Sequence, residues 1–372
     1  MKFVSLTYTK KPHFNQPDAW LQRIHFYFGA LEALGRQHSV ISVDRIGYKG
    51  EIFLNGILHY FPDFGNNRLR VPWKLNRLAA KQKPDIVLVQ GMDFPLQVIL
   101  LRMQLGKKVK IIVQHHAEKP FTGIKKIIQQ VADRCIDAYF FSSRALGESW
   151  VSKGNLRSPE KIHEVMEVSS DFTTIQKSRA LAATGVKGHP GFLWVGRLDN
   201  NKNPLMVIKA FLRFAVSRPA ARLYMLYHTT ELLPDIERLL DTSPNGREVI
   251  ILVGKLPHAD LQNWYNSVDF LISGSWYESG GTAVCEAMSC GCIPILTDIF
   301  SFRAMTANAQ CGQLYEPGNE DALLTALLQA AQSDVTEERK KVLLQFRAEL
   351  SFEAIANKIQ SVAVSLYKPI IA

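Results

Sequence analysis

Gly191-Phe-Leu-Trp-Val-Gly-Arg-Leu-Asp-Asn-Asn-Lys-Asn-Pro204 is the stretch from which the architecture can be read. Its apolar start, Gly191 to Val195, has the length and composition of a buried strand. A glycine punctuates the strand, a polar turn follows, and Pro204 sits where a helix can open, since its ring presets φ for the first turn. Strand, glycine turn and helix (Asn203 to Val216) make the first half of a βαβ unit. The same alternation continues downstream, with strands expected at Arg222 to Tyr227, Val249 to Val253, Phe270 to Ile272 and Ile293 to Leu296.

Upstream lies an earlier, separate series. Lys2 to Thr7 reads as a strand, Ala19 to Leu34 as an amphipathic helix, Ser39 to Val43 and Ile52 to Tyr60 as extended runs, and Val71 to Lys81 as a helix. Strands at Asp85 to Gln90, Val109 to Gln114 and Ala138 to Phe141 follow, with a helix around Ile124 to Arg134. Thr173 to Pro190, poor in large apolar residues and ending Gly-Val-Lys-Gly-His-Pro, is the best linker between the two series. At 372 residues the chain also exceeds the size at which one core keeps growing. The expected fold is therefore α/β, two doubly wound, Rossmann-like domains facing each other across a cleft, divided at about 1–175 and 176–352.

Composition narrows the class. The chain is 47% hydrophobic and 21% charged, ordinary for a globular enzyme. The longest candidate apolar run, Phe94 to Leu101, is far below the roughly 18 residues of a membrane span. The start, Met-Lys-Phe-Val-Ser-Leu-Thr-Tyr-Thr-Lys-Lys-Pro, reads as a first strand and not as a signal peptide, so a cytoplasmic location is expected. The five cysteines contain no C-x-x-C pair, which points to reduced, packed thiols and not to a metal site. Charge is divided unevenly: residues 1–185 hold 27 basic and 15 acidic side chains, a net of +12, and the remainder nets −2. The first half is the one suited to an anionic partner, though a merely solvated basic surface gives the same count.

In doubly wound sheets ligands bind beyond the carboxyl ends of the strands, so the residues following each strand carry the chemistry. After Val195 come Gly196, which lets the backbone approach a ligand, Arg197, a bidentate phosphate ligand, and Lys202, a point charge. Taken alone these also read as a solvated loop. After the Phe270 strand comes Trp276-Tyr-Glu-Ser-Gly-Gly-Thr-Ala-Val-Cys-Glu-Ala-Met288, with Glu278 and Glu286 eight positions apart. Thr282 is expected as the N-cap of a helix from Ala283 to Ser289 that Gly291 ends. Amides at Gly281, Thr282 and Ala283 would then form an anion site, and the two glutamates would accept hydrogen bonds from sugar hydroxyls.

These segments resemble the family 4 retaining glycosyltransferases, which share the GT-B fold. The likeness rests on Gly196 to Lys202 and on the two glutamates of Glu278 to Glu286. It extends to Glu286-Ala-Met-Ser-Cys-Gly-Cys-Ile-Pro, Gly312-Gln-Leu-Tyr-Glu-Pro-Gly-Asn and Gly254-Lys-Leu-Pro-His-Ala-Asp-Leu. In the first half it is looser, resting on Lys83-Pro-Asp-Ile-Val-Leu-Val-Gln and a histidine-bearing turn. The resemblance implies a metal-independent transfer from a nucleotide-diphosphate sugar to an acceptor hydroxyl, with retention and no cofactor, in polysaccharide or glycolipid synthesis. It assigns the diphosphate to Arg197 and Lys202, the donor sugar to Glu278, an amide cradle to Gly280, Gly281 and Thr282, and the nucleotide ribose to Glu286. Gly196, Lys255 and Leu256 complete the donor site. His116, with His115 second to it, is matched to a histidine beside the transferred sugar, and a C-terminal helix at about 353–372 is expected to return to the first domain.

Two departures concern substrate choice. The first strand is followed by Tyr8-Thr-Lys-Lys-Pro in place of a Gly-Gly turn, and Arg222 to Tyr227 by His228-Thr-Thr-Glu in place of Gly-x-Gly. An NAD-dependent oxidoreductase is disfavoured because no Gly-x-Gly-x-x-Gly opens a helix. A nucleic-acid binder fits the pI near 9.3 but has no recognition motif, and a catalytically inactive nucleotide-sugar binder keeps the fold but would not need all four charged site residues. Trp73 and the basic residues from Arg70 to Lys83, with the lysines after Gly123, suit an anionic membrane surface and a lipid-linked acceptor; a solvated basic face is the alternative.

Overall fold

The computed structural model describes residues 1–65 and 70–367; the side chains of Arg70 and Val71, and residues 368–372 of the expected C-terminal helix, lie outside the described residues. The chain divides into two compact units, Met1–Ser169 together with the chain from Phe352 on, and Ser170–Ser351.

In the first unit the strands are β1 (Lys2–Lys11), β2 (Ser39–Ile46), β3 (Gly50–Leu54), β4 (Ile57–Phe61), β5 (Ile86–Gln90), β6 (Lys110–Gln114), β7 (Ala138–Phe141) and β8 (Ile162–Glu164). Among the described residues they form one sheet in the order β3-β4-β2-β1-β5-β6-β7-β8, parallel except for β3. Val4, Leu6, Val87, Val89, Ile111 and Phe140 are fully or almost fully buried along it, as strands covered on both faces require. The sequence order reverses between β1 and β5, where Thr7 pairs with Gln90, so the crevice of this sheet opens there. Helix Phe352–Ser365 packs on helix Pro17–Gly35; Arg36 donates to Glu353 at 3.0 Å, and the Tyr367 hydroxyl donates to the Asp85 carbonyl at 2.6 Å.

The second unit holds β9 (Gly191–Gly196), β10 (Arg222–Tyr227), β11 (Ile250–Gly254), β12 (Phe270–Ser273), β13 (Ile293–Thr297) and β14 (Gln313–Tyr315). They form an all-parallel sheet in the order β11-β10-β9-β12-β13-β14. Its reversal lies between β9 and β12. There Phe192 stacks on Phe270 with ring centroids 5.0 Å apart, and Phe211 and Phe214 from helix Pro204–Ser217 close edge-on over Phe192. An aromatic cluster thus fixes the spacing of the two strands whose ends carry the site.

Two expectations need correction. Ile52 to Tyr60 is not one extended run: Asn55 and Gly56 take φ of +50° and +80°, and this Asn-Gly turn splits it into the β3–β4 hairpin. Thr173 to Pro190 is not an open linker. It contains helix Lys177–Thr184, ended by Gly185 at φ +68° and joined to its own unit by Lys177 to Asp269 at 2.6 Å and by the Thr184 and Ser267 hydroxyls at 2.8 Å. Its apolar contribution is small because Ala180 is the residue it buries. Helix Arg144–Ser152, capped by Ser143, and strand β8 were not read from the sequence at all.

Phe192 has no solvent exposure and touches rings from the neighbouring strand and from helix Pro204–Ser217. Phe192→Ala is expected to destabilise the second unit by about 3–5 kcal/mol, read as a lowered urea midpoint, with Phe192→Leu costing clearly less.

Candidate functional site

β9 ends at Gly196, and a Cβ there would lie 3.2 Å from the Trp194 ring and 3.5 Å from Lys202 Cδ. The turn that follows is tied down by its own hydrogen bonds. Leu198 N–H donates to the Thr229 hydroxyl at 2.8 Å, and Lys202 N–H to Asp199 Oδ1 at 2.9 Å. The next strand's exit loop is stitched to it: Trp276 N–H donates to the Asn201 carbonyl at 2.9 Å, and Asn201 Nδ2 to the Tyr277 carbonyl at 3.0 Å. Ser301 Oγ donates to the Glu278 carbonyl at 2.9 Å. Two loops that leave the switch point of one sheet are therefore held as a single body.

This brings Lys202 and Glu278 together. The Lys202 ammonium forms a short ion pair with Glu278 Oε1, both side chains being mostly buried. Arg197, 54% exposed, pairs with Asp199 at 3.1 Å and leaves most of its guanidinium face to solvent. Exposed Lys255 and half-buried Leu256 follow the left-handed Gly254, φ +84°, at the end of β11. Charge at this sheet edge thus comprises an exposed guanidinium paired with Asp199 beside a more buried ammonium–carboxylate pair.

Helix Thr282–Ser289 begins immediately after Glu278-Ser-Gly-Gly. Its N-cap is Gly281 and not Thr282, which occupies the first helical position. The reason is conformational: the cap residue has φ +66°, and a Cβ there would meet the Phe302 ring at 2.9 Å. The intrahelical ladder begins with Val284 N–H to Gly281 C=O at 2.9 Å, so the amides of Thr282 and Ala283 precede it, at the positive end of the helix dipole.

Glu286 is not a surface residue of this helix, since it is 5% exposed. Its Oε1 meets His258 Nε2 at 2.6 Å and its Oε2 accepts from the Tyr265 hydroxyl at 2.8 Å. Burial, reinforced by the Glu286 charge, drives the Tyr265 phenol far above its ordinary range, so it stays a donor. His258, itself largely exposed and stacked on Phe172 at 5.0 Å, lies on the outer side of that carboxylate. Sequence reasoning quoted His258 only inside a motif; no local pattern marks it, because its partner is 28 residues away.

In the first unit His115 and His116 part company. His115 has no exposure, packs on Phe141 and Trp150, and bonds the Glu118 carbonyl through Nε2 at 2.8 Å; burial holds it neutral by lowering its pKa. His116 stands at the carboxyl end of β6. Nδ1 lies 2.5 Å from Glu167 Oε2 and Nε2 lies 2.8 Å from Gln90 Oε1. With Gln90 Nε2 directed at the Ser5 hydroxyl, 3.0 Å away, both ring nitrogens of His116 face acceptors, which suits an imidazolium. Burial opposes that charge, but the Glu167 hydrogen bond and the Glu167 and Glu118 charges outweigh it, and the His116 pKa is raised.

His116 lines a cavity of about 260 Å³ at the β1–β5 switch point. Trp20, Tyr27, Phe28 and Phe94 form aromatic walls, and Thr7, Thr9, Gln90 and Asp44 supply polar groups. Asp44 is 2% exposed and burial pushes its carboxyl above the usual carboxylate range, although the Ser42 hydroxyl donates to it at 2.5 Å. No local pattern marks this cavity, because its walls come from one helix and four separate strand ends.

Residues 181–343 match the family described as "Glycosyl transferases group 1". The second unit is a group 1 glycosyltransferase domain. A Campylobacter jejuni enzyme, N-acetylgalactosamine-N,N'-diacetylbacillosaminyl-diphospho-undecaprenol 4-alpha-N-acetylgalactosaminyltransferase, is 23% identical over 263 residues, covering 68% of this chain and 69% of its own. Among solved structures, a glycosyltransferase from Rickettsia africae is similar with a TM-score of 0.74 at 15% identity, covering 99% of this chain and 98% of its own. The sucrose-phosphate synthase of Thermosynechococcus elongatus has a TM-score of 0.70 at 15% identity over 99% of both chains. Anabaena HepE in complex with UDP has 0.72 at 13% identity, over 98% and 100%. The fold is GT-B, and the charged site lies at the switch point of the unit that carries the family match.

Two outcomes follow from this geometry. Gly281→Ala is expected to cost about 1–3 kcal/mol in a urea melt, because both the positive φ and the Phe302 contact oppose a side chain. The raised His116 pKa contributes stability that is fully present below the unfolded value of 6.5 and lost as pH rises through the folded one. Histidine-detected NMR titration should place His116 above an ordinary histidine, and Glu167→Gln should bring it down.

Proposed function

We propose that this glycosyltransferase moves a sugar from a nucleotide-diphosphate donor to an acceptor hydroxyl with retention of anomeric configuration, without a metal ion or other cofactor. The observation that carries the reading is the convergence at one switch point of Arg197, the Lys202–Glu278 pair and the N-terminus of helix Thr282–Ser289. Donor groups of three kinds thereby surround one place where a diphosphate can sit. Arg197 would fork across phosphate oxygens, Lys202 would add its ammonium, and the amides at 282 and 283 would add the helix dipole. Gly196, Gly280 and Gly281 would let the backbone approach, with Lys255 and Leu256 beside the nucleotide.

Glu278 then has two roles. Paired with Lys202 it fixes that ammonium's position; facing the donor sugar it accepts hydroxyl hydrogen bonds. A diphosphate competes with Glu278 for the same ammonium, so the pair tunes donor affinity as well as orienting the sugar. Glu286, with both oxygens already ordered by His258 and Tyr265, retains lone pairs for ribose hydroxyls. As the bond from the anomeric carbon to phosphate breaks, the negative charge develops where Arg197, Lys202 and the helix amides are preorganised, and electrostatic stabilisation supplies most of the rate. The acceptor hydroxyl attacks from the face that the diphosphate leaves, its oxygen bonding the anomeric carbon and its proton passing to the departing phosphate oxygen. The resemblance matches His116, whose pKa Glu167 raises, to a histidine that serves the transferred sugar.

The aromatic cavity of the first unit is the acceptor pocket in this scheme. The Campylobacter relative's name specifies a sugar carried on diphospho-undecaprenol, and a lipid-linked glycan is the acceptor class we assign here, reached by a cytoplasmic protein at an anionic membrane surface. UDP in the Anabaena structure makes uridine diphosphate sugars the first donors to test.

The test is transfer to diphospho-undecaprenol-linked acceptors from a panel of nucleotide sugars in excess EDTA. Product should form, with the donor's anomeric configuration by NMR. Arg197→Ala and Lys202→Ala should each lower kcat by about 10²–10³. Inversion of the anomer, loss of turnover in EDTA, or near wild-type rates in both variants would each sink the corresponding part of the reading.

A further inference from the structure

Helix Gly123–Ala132 is built inside out. It buries Gln129 and Ala132, while Ile124, Ile127 and Val131 stand 77%, 61% and 46% exposed. Gln129 is satisfied in the core by the Tyr139 hydroxyl at 3.2 Å, so the arrangement is a settled one. The larger apolar side chains occupy positions i, i+3 and i+7 of the outer face, the spacing that elsewhere marks a face turned to a core.

The neighbouring helix Pro95–Leu105 repeats the pattern. Val98 and Leu101 point inward, and Leu96 and Met103, seven apart, are 51% and 71% exposed. The two helices pack side by side, and helix Arg70–Lys81 adjoins the first of them, with Gln104 Nε2 directed at the Trp73 carbonyl at 3.5 Å and Trp73 itself 47% exposed. Three adjacent helices thus present large apolar side chains to solvent on one side of the first sheet. Single exposed apolar residues need no account, but a set shared by adjoining helices does.

Charge selects what covers them. Residues 70–134 contain 13 Lys and Arg against 4 Asp and Glu, a net of +9 that nearly equals the +10 of the whole chain. Lys107 and Lys108 follow one helix, Lys119 precedes the other and Lys126 lies within it. Pairing removes part of this charge, Lys125 with Asp93 at 2.7 Å and Arg102 and Lys110 with Asp137, while Asp133 is buried, Asp85 accepts from the Lys2 amide and Glu118 from the amides of Met92 and His116; Lys107, Lys108 and Lys126 keep the edge basic. A second copy docking the same face would bring two such fields together, which an isologous interface cannot offset. A polyanionic plane with an apolar interior meets both requirements.

We propose that the outer face of helices Pro95–Leu105 and Gly123–Ala132, with Trp73 at its edge, inserts into the headgroup and acyl boundary of an anionic lipid bilayer. Ile124, Ile127 and Met103 enter the apolar layer, and the flanking lysines meet lipid phosphates. The inference rests on the lipid-linked acceptor proposed above for its biological use, but on this surface alone for its physics. It assigns the apolar side chains, and not charge by itself, the larger part in holding the protein at the surface.

The test uses the full chain, with vesicles of phosphatidylcholine alone and with 30 mol% phosphatidylglycerol, in low and high salt. Binding to the anionic vesicles should exceed binding to the neutral ones by about tenfold or more and should survive high salt in part. Met103→Ser/Ile124→Ser/Ile127→Ser keeps every charge and should weaken binding at least about tenfold. Lys107→Gln/Lys108→Gln/Lys126→Gln should abolish the preference for anionic lipid. Both triple variants should keep the wild-type thermal midpoint and nucleotide-diphosphate binding, since none of these residues touches the donor site. Equal vesicle binding by the serine variant and wild type overturns the proposal, as does a reversible dimer that only the serine variant loses. If vesicle binding fails while nucleotide binding persists, the docking surface falls and the transfer reading stands.

Discussion

The constraint on which the rest depends is the reversal of strand order between β9 and β12. Because neighbouring connections leave that point in opposite directions, two loops from strands far apart in sequence meet at one sheet edge. The Phe192–Phe270 stack sets the distance between the strands, and the Lys202–Glu278 pair closes it at the top. An ammonium and a carboxylate mostly removed from water attract strongly only if held in good geometry. Here that geometry comes from backbone hydrogen bonds to Asn201, Asp199 and Ser301. The rigidity belongs to the loops, and the charged pair depends on it.

The first unit repeats the topology and uses it differently. Its switch point opens on a cavity walled by Trp20, Tyr27, Phe28 and Phe94, with a buried Asp44 and His116, whose pKa is raised, at the polar side. The second unit offers cationic groups and helix amides, suited to a polyanion; the first offers flat apolar walls and hydroxyl partners, suited to a sugar ring. The basic excess is spread over the outer helices of the first unit, away from that cavity's lining, which contains only Lys11 among Lys and Arg. Two different binding chemistries therefore rest on one repeated architecture, and the charge asymmetry of the sequence belongs to a third surface.

Much of the fold was legible because both sheets are parallel and buried, so their strands stand out as short apolar runs between helices. Ala138–Phe141 and Arg222–Tyr227 are bounded in the structure as the residues alone suggest. Legibility failed where local chemistry was overlooked, as at Asn55-Gly56, or where tertiary packing overrides a weak pattern, as in helix Lys177–Thr184. In the site, Arg197, Lys202 and Glu278 could be named from their place after strands, but their pairing could not, since Lys202 and Glu278 are 76 residues apart. Thr282 was given the cap because threonine is a good N-cap residue; the left-handed backbone, which only Gly281 accepts without strain, decided otherwise. Glu286 was legible as a glutamate of the motif, whereas its burial between His258 and Tyr265 required the fold. Long-range partners such as Glu167 for His116 leave no local trace.

The most direct measurement of the central claim is a metal-free thermal-shift series with UDP, GDP, ADP, TDP and CMP on the wild-type chain and on Arg197→Ala. A ligand at about 100 times its dissociation constant stabilises a protein by about 2.7 kcal/mol, a shift of a few degrees. The account predicts that one nucleoside diphosphate raises the wild-type midpoint and that Arg197→Ala abolishes the shift. A shift of equal size in the variant, or none with any nucleotide in wild type, would contradict the assignment of the β9–β12 switch point as the donor site.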